Sequence, residues 1–311
     1  PMTVETLLFR PLSLVDAPAA ALSGGPPVSP RTFNWWRAAL ADLGRFITAA
    51  PPVEEIAAHD IARWHAHLLR RASPVTANNN LRAVRGVFAR LVRAGYLADN
   101  PAAGVPFAPQ PPSRPQAVTE ATYRRLMAAA GVRDAAVLAL LWATGARIGE
   151  LPTITLSGLE LWEEEGERLA AFVVGKYHRR LSIDHAGRYL YAAEAEAQAV
   201  RRWLHERPVV ATDALFPDRT GTKPVPVPTL HSVLRLLRKR ANLPAETVAN
   251  AHAFRHAFAY RKRREGYPLE WISEWLGHSD PAFTARMYGD KSEPEVRRRF
   301  FAPPPGRKAL E

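Results

Sequence analysis

The stretch of sequence that decides the fold is AHAFRH, residues 251–256. On a helix, His252 and Arg255 stand three residues apart, so their side chains project together and can grip one anion. His252 and His256 stand four residues apart, which is also a spacing of metal ligands. The metal interpretation is the weaker one, because Ala253 stands where a zinc protease carries the glutamate of its H-E-x-x-H motif. His256 is equally well explained as a buried histidine whose ring is satisfied.

Two further strings flank this helix along the chain. The first is ATGARIGEL, residues 143–151, in which an apolar helix ends at a glycine and Arg147 stands just past that end. Taken alone, this pattern is typical of a helix C-cap followed by a surface arginine. The second is LGHSD, residues 276–280, and Tyr288 follows ten residues after His278. Each string is ordinary by itself, and the tyrosine alone would be a packed core residue. Their order along the chain is what distinguishes them.

In this order the strings resemble the phage-integrase or tyrosine recombinase family. Its members show an arginine in a T-G-x-R-x-x-E-L context and a lysine on a β-hairpin. They also show H-x-x-R-H on a helix, L-G-H at the following helix, and a tyrosine shortly after. TANNNLRAVR, residues 76–85, and NPA, residues 100–102, look like parts of the family's N-terminal core-binding domain. The resemblance covers about residues 30–290 of the chain.

The resemblance implies an enzyme without metal or cofactor that cuts and rejoins DNA through a covalent bond from a tyrosine to a phosphate. The catalytic residues that it implies are Arg147, Lys176, His252, Arg255, His278 and Tyr288. Arg147 and Arg255 would bind the non-bridging oxygens of the scissile phosphate, because a planar guanidinium donates two parallel hydrogen bonds to the charge that gathers there. Tyr288 would be the nucleophile and form a 3′-phosphotyrosine that stores the bond energy for religation.

The same resemblance gives the other three residues roles in moving or donating protons. Lys176 would protonate the departing 5′ oxygen, which requires a cationic, partly desolvated site that lowers the lysine pKa toward neutrality. His252 would accept the tyrosine proton or orient the phosphate. His278 would donate a hydrogen bond to a phosphate oxygen.

Two assignments near this site have alternatives. Family members often show G-K-G-x-K-x-R on the hairpin, whereas GKYHRR, residues 175–180, lacks the second glycine and the second lysine. Lys176 is therefore either the general acid or an exposed lysine that touches a backbone phosphate without acid catalysis. Glu150, three residues after Arg147, either orients part of the site or only caps and pairs locally.

The charge of the chain favours a polyanionic partner. Its 311 residues include 42 Lys and Arg against 30 Asp and Glu, giving a net charge of +12 and a pI near 10.4. Basic residues outnumber acidic ones by 12 to 7 through Val118 and by 30 to 23 afterwards, so both halves could face nucleic acid. A solvated basic surface without a partner explains the charge as well.

Other bulk features predict a soluble, cytoplasmic protein. The chain contains no cysteine, which excludes disulfides and thiolate chemistry. It has no run of about 18 uncharged apolar residues, so no membrane contact is expected, and no secretory signal is visible.

Residue patterns divide the chain into five expected segments. They are a flexible, loosely ordered N-terminal arm (1–28), a helical core-binding, DNA-binding domain (29–104), a linker with five prolines (105–118), a catalytic domain (119–290) and a C-terminal tail (291–311). In the helical domain, apolar spacing predicts three helices, with Asp60 capping the second and Thr76 opening the third.

In the catalytic domain, Thr119 is the expected N-cap, and the patterns predict helices around a small sheet. Helices are expected at about 120–130, 134–144, 192–206, 228–241, 249–265 and 268–276, and strands at Leu159–Leu161, Ala170–Val174 and Arg180–Ile183. The expected fold class is mostly α with a small antiparallel β-sheet. By resemblance, the core-binding and catalytic domains form a clamp on double-stranded DNA, and a homotetramer assembles on two DNA sites.

Two other functions fit the same fold. A type IB topoisomerase would use similar chemistry but would work as a monomer and without site preference. A catalytically silent DNA-binding protein would not need all six residues named above, which argues against that alternative.

Further predictions concern DNA contacts and the tail. The expected DNA contacts are Asn79, Arg82 and Arg85 on the third N-terminal helix, Arg179 on the hairpin, and His231, Arg235 and Arg238 on a later helix. Either helical set is also explained as a solvated face. In the tail, Val296 and Phe300 form an apolar stripe too small to be stable without a docking surface. That surface belongs either to a neighbouring protomer, which the resemblance slightly favours, or to the same domain.

Overall fold

The computed structural model describes residues 11–47, 51–110, 116–174, 187–277 and 299–302. The chain divides into two compact units, residues 1–113 and 114–311. Each unit has its own cluster of buried apolar side chains. None of the helices in the described ranges is long and apolar enough to cross a membrane.

The first unit is helical, and two of its helices start at a serine cap. Ser29 and Ser73 accept the backbone N–H groups of Thr32 and Thr76, and a proline follows each cap, where no N–H is needed. The elements are α1 (Ala17–Ala20), α2 (Pro30–Phe46), α3 (Ala58–Arg71) and α4 (Pro74–Arg93), with a 3-10 turn at Val53–Glu55. Large buried side chains of its core include Trp36, Leu40, Leu43, Trp64 and Phe88.

Two helix starts differ from the prediction. Asp60 is the third residue of α3 rather than its cap, and its carboxylate accepts the backbone N–H of Ala57 at 3.1 Å. Thr76 is the third residue of α4, and Ser73 takes the cap position. Polar residues occur in the first turn of a helix as well as at its cap, so residue type alone does not separate the two positions.

Residues 11–28 pack against the helical core of the first unit, whereas the sequence predicts a loosely ordered arm. Leu14, Ala17 and Ala21 are buried in the core. From α4, the guanidinium of Arg90 donates to the carbonyl oxygens of Ala21 at 3.3 Å and Pro26 at 2.6 Å. The prediction of a loosely ordered arm is wrong for these residues, because they contact a helix far along the chain. Arg90 lies 69 residues after Ala21 and 64 after Pro26.

The described parts of the expected linker, 105–118, are packed against the unit that each adjoins. Val105 is buried, and the side chain of Asn78 bonds both the N–H (2.9 Å) and the carbonyl (2.8 Å) of Ala108. On the other side, Val118 is buried, and its N–H donates to the Ala253 carbonyl at 3.2 Å. Residues 111–115 lie outside the described residues.

The second unit is built around a buried helix. Its elements are α5 (Glu120–Ala128), α6 (Val132–Thr144), β1 (Leu159–Glu163), β2 (Glu167–Val174), β3 (Gly187–Ala193), α7 (Glu194–Glu206), α8 (Val227–Arg240), α9 (Ala251–Arg264) and α10 (Leu269–Leu276), with a 3-10 turn at Leu151–Thr153. Thr119 caps α5, as predicted, because its hydroxyl accepts the N–H of Thr122. Every residue of α6 from Ala136 to Thr144 is buried, so this helix forms the centre of the core.

Within the described residues, the strands form an antiparallel sheet in the order β1-β2-β3. Leu161 pairs with Leu169, and Ala171 pairs with Leu190. This confirms the predicted fold class, mostly α with a small antiparallel β-sheet. The expected strand Arg180–Ile183 lies outside the described residues, and β3 was not predicted. Three successive residues of β3, Leu190 to Ala192, are buried, so the alternation that marks a half-exposed strand is missing.

Residues 299–302, the described part of the tail, pack on an aromatic cluster of the second unit. The ring of Phe300 lies 5.2 Å from Trp275 and 5.4 Å from Tyr191, measured between centroids. The hydroxyl of Tyr267 donates to the carbonyl of Ala302 at 2.8 Å. In this single chain the described part of the tail thus packs on its own domain, and Val296 lies outside the described residues. Docking on a neighbouring protomer stays a prediction.

Candidate active site

The site begins where α6 ends, at Gly145. Its backbone is left-handed, with φ +59°. A Cβ at this position would lie 2.7 Å from Cδ2 of Leu276 and 2.9 Å from Cδ1 of Phe258, so glycine is required for α9 and α10 to approach this turn. The pattern that predicts a helix C-cap is therefore correct, and the same close approach directs the following arginine, Arg147, toward the end of α10.

Arg147 is held from two sides and is still partly open to solvent. Its Nη2 donates to the Gly277 carbonyl at 2.8 Å, and its Nη1 donates to Oε1 of Glu150 at 3.2 Å. Its side chain is 34% exposed, whereas that of Glu150 is 3% exposed. One face of the Arg147 guanidinium therefore remains available to a ligand from solution.

Glu150 is the buried centre of this arrangement. Its Oε2 accepts the backbone N–H of Arg147 at 2.7 Å and Nη2 of Arg188 at 2.8 Å. The sequence left open whether Glu150 orients the site or only pairs locally. In the structure it caps the turn at Arg147 and also bonds a second arginine from a distant strand, so its contacts are not only local. Its role in orienting the site stays a prediction.

Arg255 approaches the same region from α9 and is buried. Its Nη1 donates to the Gly145 carbonyl at 3.0 Å, and its Nη2 donates to the Leu276 carbonyl at 2.6 Å. Burial, together with the positive charges of Arg147 and Arg188, lowers the pKa of Arg255 to about 9. Arg255 is therefore still protonated at neutral pH, but its surroundings disfavour that charge.

Arg188, on β3, is part of the same cluster, and the sequence reasoning missed it. Besides its bond to Glu150, its Nη1 donates to the Trp275 carbonyl. Burial lowers its pKa from the usual range, while Glu150 opposes that shift. Strand-forming residues follow it in RYLYAA, residues 188–193, and they are the signal that could have placed it at a strand start.

The cluster carries more positive than negative charge. Among the described side chains that bond within it, there are three guanidinium groups and one buried carboxylate. The carboxylate bonds Arg147 and Arg188, and Arg255 bonds backbone carbonyl groups. Like charges held close together at low dielectric repel one another, and an anion in their midst removes that cost. The arrangement is suited to bind a group such as a phosphodiester, to which guanidinium groups donate paired hydrogen bonds.

His252 lies on the exposed side of α9, one turn before Arg255 and His256. The rings of His252 and His256 meet edge to face, with centroids 4.6 Å apart. Burial and the positive charges of His252 and Arg255 lower the pKa of His256. Within the ranges that the structure describes, no group of three or more His, Cys, Asp or Glu side chains could hold a metal ion.

Four predicted site residues, Lys176, Arg179, His278 and Tyr288, lie outside the described residues. The described residue before His278 is Gly277, whose carbonyl accepts from Arg147. The described residue before the 175–186 segment is Val174, whose N–H donates to the hydroxyl of Thr153 at 3.0 Å.

The predicted DNA contacts of the first unit lie along one stretch of α4. Asn79 and Arg82 are exposed and bonded to each other, Nη1 to Oδ1, at 2.6 Å. Arg85 donates to the carbonyl oxygens of Ala102 and Val105, and thus fastens the segment that leaves the domain. Because Arg85 is bonded within its own unit, Asn79 and Arg82 are more accessible to a DNA partner than Arg85 is.

The predicted DNA contacts of the second unit lie beside a cavity of about 320 Å³ between α8 and the segment that precedes α9. His231, Arg235 and Arg238 all line it. His231 and Arg235 are exposed, and Nη1 of Arg238 donates to the Ala245 carbonyl at 3.2 Å. Two of the three side chains therefore remain accessible from solution.

Sequence comparison places the second unit in a known group. Residues 116–295 match the model of the phage integrase family. The tyrosine recombinase XerC of Alcanivorax borkumensis is 29% identical over 297 residues, which cover 88% of this chain and 91% of that protein. The tyrosine recombinase XerD of Haemophilus influenzae is 29% identical over 262 residues, 79% of this chain and 82% of that protein.

Solved structures share the fold. The Tn1549 transposon integrase in complex with circular intermediate DNA has a TM-score of 0.65 and 18% identity, and the match covers 94% of this chain and 100% of that one. A lambda integrase dimer bound to a COC′ core site has a TM-score of 0.65 and 15% identity, with 94% and 99% covered.

Proposed function

Because the chain belongs to the phage integrase family of tyrosine recombinases, we propose that it cuts and rejoins double-stranded DNA at specific sites. The observation that carries this proposal is the cluster of Arg147, Arg188 and Arg255 around one buried glutamate. Such an excess of positive charge suits the scissile phosphate, and it is held in place before any substrate arrives. Preorganised donors of this kind are usually the largest source of transition-state stabilisation.

The proposed reaction is an exchange of phosphoester bonds. The Tyr288 oxygen attacks the scissile phosphorus, the bond from phosphorus to the 5′ oxygen breaks, and a 3′-phosphotyrosine forms. His252 accepts the tyrosine proton or orients the phosphate, and Lys176 donates a proton to the departing 5′ oxygen. A 5′ hydroxyl of the partner strand then attacks the phosphotyrosine, which restores the DNA backbone and the tyrosine. The number of phosphoester bonds is conserved, so no nucleotide cofactor is needed.

Arg147 and Arg255 would stabilise the negative charge of the pentacoordinate transition state. Arg147 is reachable from solution, whereas Arg255 is nearly buried and fixed by two carbonyl oxygens. His278 would donate to a phosphate oxygen as well. We further propose that strand exchange takes place in a homotetramer on two DNA sites. The matched relatives are recombinases and integrases, and the topoisomerase and silent DNA-binding alternatives are not favoured.

Trapping the covalent intermediate tests this proposal. The DNA site is first selected from a random duplex pool, and a substrate nicked beside the cleavage position then prevents religation. We expect a protein–DNA adduct with the wild-type chain and none with Tyr288→Phe. Tyr260→Phe, which alters an exposed tyrosine on α9, is the matched control and should form the adduct.

The same assay addresses the metal alternative at His252 and His256. Adduct formation should be unchanged in EDTA. An adduct that persists in Tyr288→Phe, or activity that is lost in EDTA and restored by zinc or magnesium, would contradict the proposed mechanism.

A further inference from the structure

Arg188 joins three parts of the second unit at the arginine cluster. It stands at the start of β3, and its side chain is 16% exposed. Its Nη2 donates to Oε2 of Glu150 at 2.8 Å, and its Nη1 donates to the Trp275 carbonyl. One guanidinium thus connects the sheet, the turn after α6 and the end of α10.

The end of α10 presents three successive carbonyl groups, and each accepts a hydrogen bond from a different arginine. The Trp275 carbonyl accepts from Arg188, the Leu276 carbonyl from Arg255, and the Gly277 carbonyl from Arg147. The Leu276 carbonyl also accepts a longer bond, 3.5 Å, from Arg147. The last carbonyl groups of a helix lack partners within it and carry partial negative charge, so cations are favoured there. The three carbonyl groups therefore fix the spacing of the three guanidinium groups.

Gly277 packs closely against the side chain of Arg188. Its backbone is left-handed, with φ +60°, and a Cβ there would lie 2.8 Å from both Cδ and Nε of Arg188. The arginine side chain runs directly over the residue whose carbonyl holds Arg147. A movement of the Arg188 side chain would therefore disturb Gly277, whose carbonyl accepts the hydrogen bond from Arg147.

Glu150 depends on Arg188 for its charge balance. Its buried carboxylate accepts two hydrogen bonds from Arg147 and one from Arg188. Removing the Arg188 guanidinium leaves this buried carboxylate with one hydrogen bond and one compensating charge fewer. The Glu150 side chain is then free to shift, and the Arg147 guanidinium that it bonds is held less firmly.

From these contacts we propose that Arg188 is a positioning residue, which ties Glu150 to the end of α10 and thereby aims Arg147 at the scissile phosphate. The inference rests on the proposed function. Arg188 acts through Glu150 and Arg147, whereas Arg147 and Arg255 are the groups that contact the phosphate. A misplacement of about 1 Å at a reacting centre can cost about 100-fold in rate, which sets the size of the expected effect.

Single-turnover cleavage of the nicked substrate by saturating enzyme separates positioning from DNA binding. Arg188→Met keeps much of the side-chain volume and removes the charge, and we expect cleavage to fall about 100-fold with the Kd for DNA within about twofold. Arg188→Lys keeps the charge but cannot make both bonds, so its rate should lie between those of Arg188→Met and wild type. Arg201→Met is the matched control, because Arg201 pairs with Glu167 in the same unit and is 44% exposed. It should cleave at the wild-type rate.

A double-mutant cycle with Glu150 distinguishes positioning from a general loss of structure. If Arg188 acts through Glu150, Arg188→Met should slow cleavage much less in a Glu150→Gln background than in the wild-type chain, because the contact that it removes is already weakened. A variant that is only less well folded would lose rate by the same factor in both backgrounds.

The outcomes separate this inference from the function on which it rests. If the wild-type chain forms no adduct through Tyr288, the proposed function fails and this inference fails with it. If wild type forms the adduct and Arg188→Met cleaves within twofold of it, the positioning role alone is overturned. Should Arg188→Met fail to fold, Arg188→Lys decides. A reduced rate with unchanged DNA affinity supports the role, and a wild-type rate contradicts it.

Discussion

Arg90 in the first unit and Arg255 in the second have the same burial and the same kind of hydrogen bonds. Their side chains are 7% and 6% exposed. Arg90 donates to the carbonyl oxygens of Ala21 and Pro26, and Arg255 donates to those of Gly145 and Leu276. Arg90 therefore fastens α4 to the segment from Ala21 to Pro26, and Arg255 fastens α9 to the ends of α6 and α10.

Their electrostatic surroundings differ. Arg90 lies over the ring of Trp36, with its Cζ 5.2 Å from the ring centroid, a contact that favours a cation. Arg255 lies near two further arginines, and burial and those charges lower its pKa to about 9. The two arginines therefore share a pattern of hydrogen bonds and differ in the charge around the guanidinium. We expect this charge to mark the arginine that binds an anion.

The largest expected effect is on cleavage. Arg255→Gln should lower the single-turnover cleavage rate about 1,000-fold, because one of the preorganised donors to the transition state is lost. Arg255→Lys should recover only part of the loss, since an ammonium cannot donate as a planar fork. Arg90→Gln should leave the cleavage rate of the bound complex within about twofold of wild type.

Thermal unfolding of each variant is the control. A loss of cleavage in a variant that is unfolded would reflect lost stability and not lost anion binding. If folded Arg255→Gln cleaves at the wild-type rate, the anion-binding role of Arg255 is wrong. If Arg90→Gln slows cleavage as much as Arg255→Gln does, the distinction between the two buried arginines disappears.

A smaller effect should be confined to the first unit. The amides of Leu22, Ser23 and Gly24 are hydrogen-bonded to residues of the same turn. Arg90→Gln removes two hydrogen bonds from a charged group to the carbonyl oxygens of Ala21 and Pro26, which costs about 2 kcal/mol. Arg90→Gln should therefore exchange these amide hydrogens about 30-fold faster, since 1.4 kcal/mol is a factor of about ten in an equilibrium constant.

Two variants sharpen this measurement. Arg45→Gln removes a 70% exposed arginine paired with Asp42 and should leave the exchange of these amides unchanged. Arg255→Gln should also leave it unchanged, because it alters only the second unit. Unchanged exchange in Arg90→Gln would show that Leu14, Ala17 and Ala21 hold the segment without the arginine.

Helices were predictable from the sequence wherever one face is apolar and the ends carry clear signals. The prediction of 228–241 corresponds to Val227–Arg240, and 268–276 corresponds to Leu269–Leu276, which Gly277 terminates. The order of residues 11–28 was not predictable, because it depends on Arg90, an arginine more than 60 residues later in the chain. The strand β3 was missed because both of its faces are covered.

The site was predictable in part. Arg147 and Arg255 were identified by their local patterns, and the structure brings both to the end of α10. Glu150 was left undecided and Arg188 was missed, since their pairing joins residues 38 positions apart. Local spacing carries no information on such a pair. Arg147 and Arg255 lie in local motifs, whereas the contact between Glu150 and Arg188 is visible only in the fold.

The smallest expected effect concerns His256, which lies near the positive charges of His252 and Arg255. Burial, His252 and Arg255 all lower the pKa of His256 from 6.5. Between this lowered value and 6.5, the unfolded chain binds a proton that the folded chain does not bind. The contribution to stability is therefore fully present above about pH 6.5, is lost as the pH falls through this window, and changes no further below the folded pKa.

His256→Gln should make stability less sensitive to acid than in wild type. Urea unfolding from about pH 8 to about pH 5 measures this, because titrating groups common to both chains cancel in the difference between their curves. Wild type should lose more stability than His256→Gln as the pH falls.

His252→Gln removes one of the two nearby charges and should give an intermediate slope, with burial and Arg255 accounting for the remainder. If wild type and His256→Gln lose stability in parallel, the positive field at α9 is weaker than the arginine cluster implies. The contrast between Arg255 and Arg90 would then have to rest on cleavage alone.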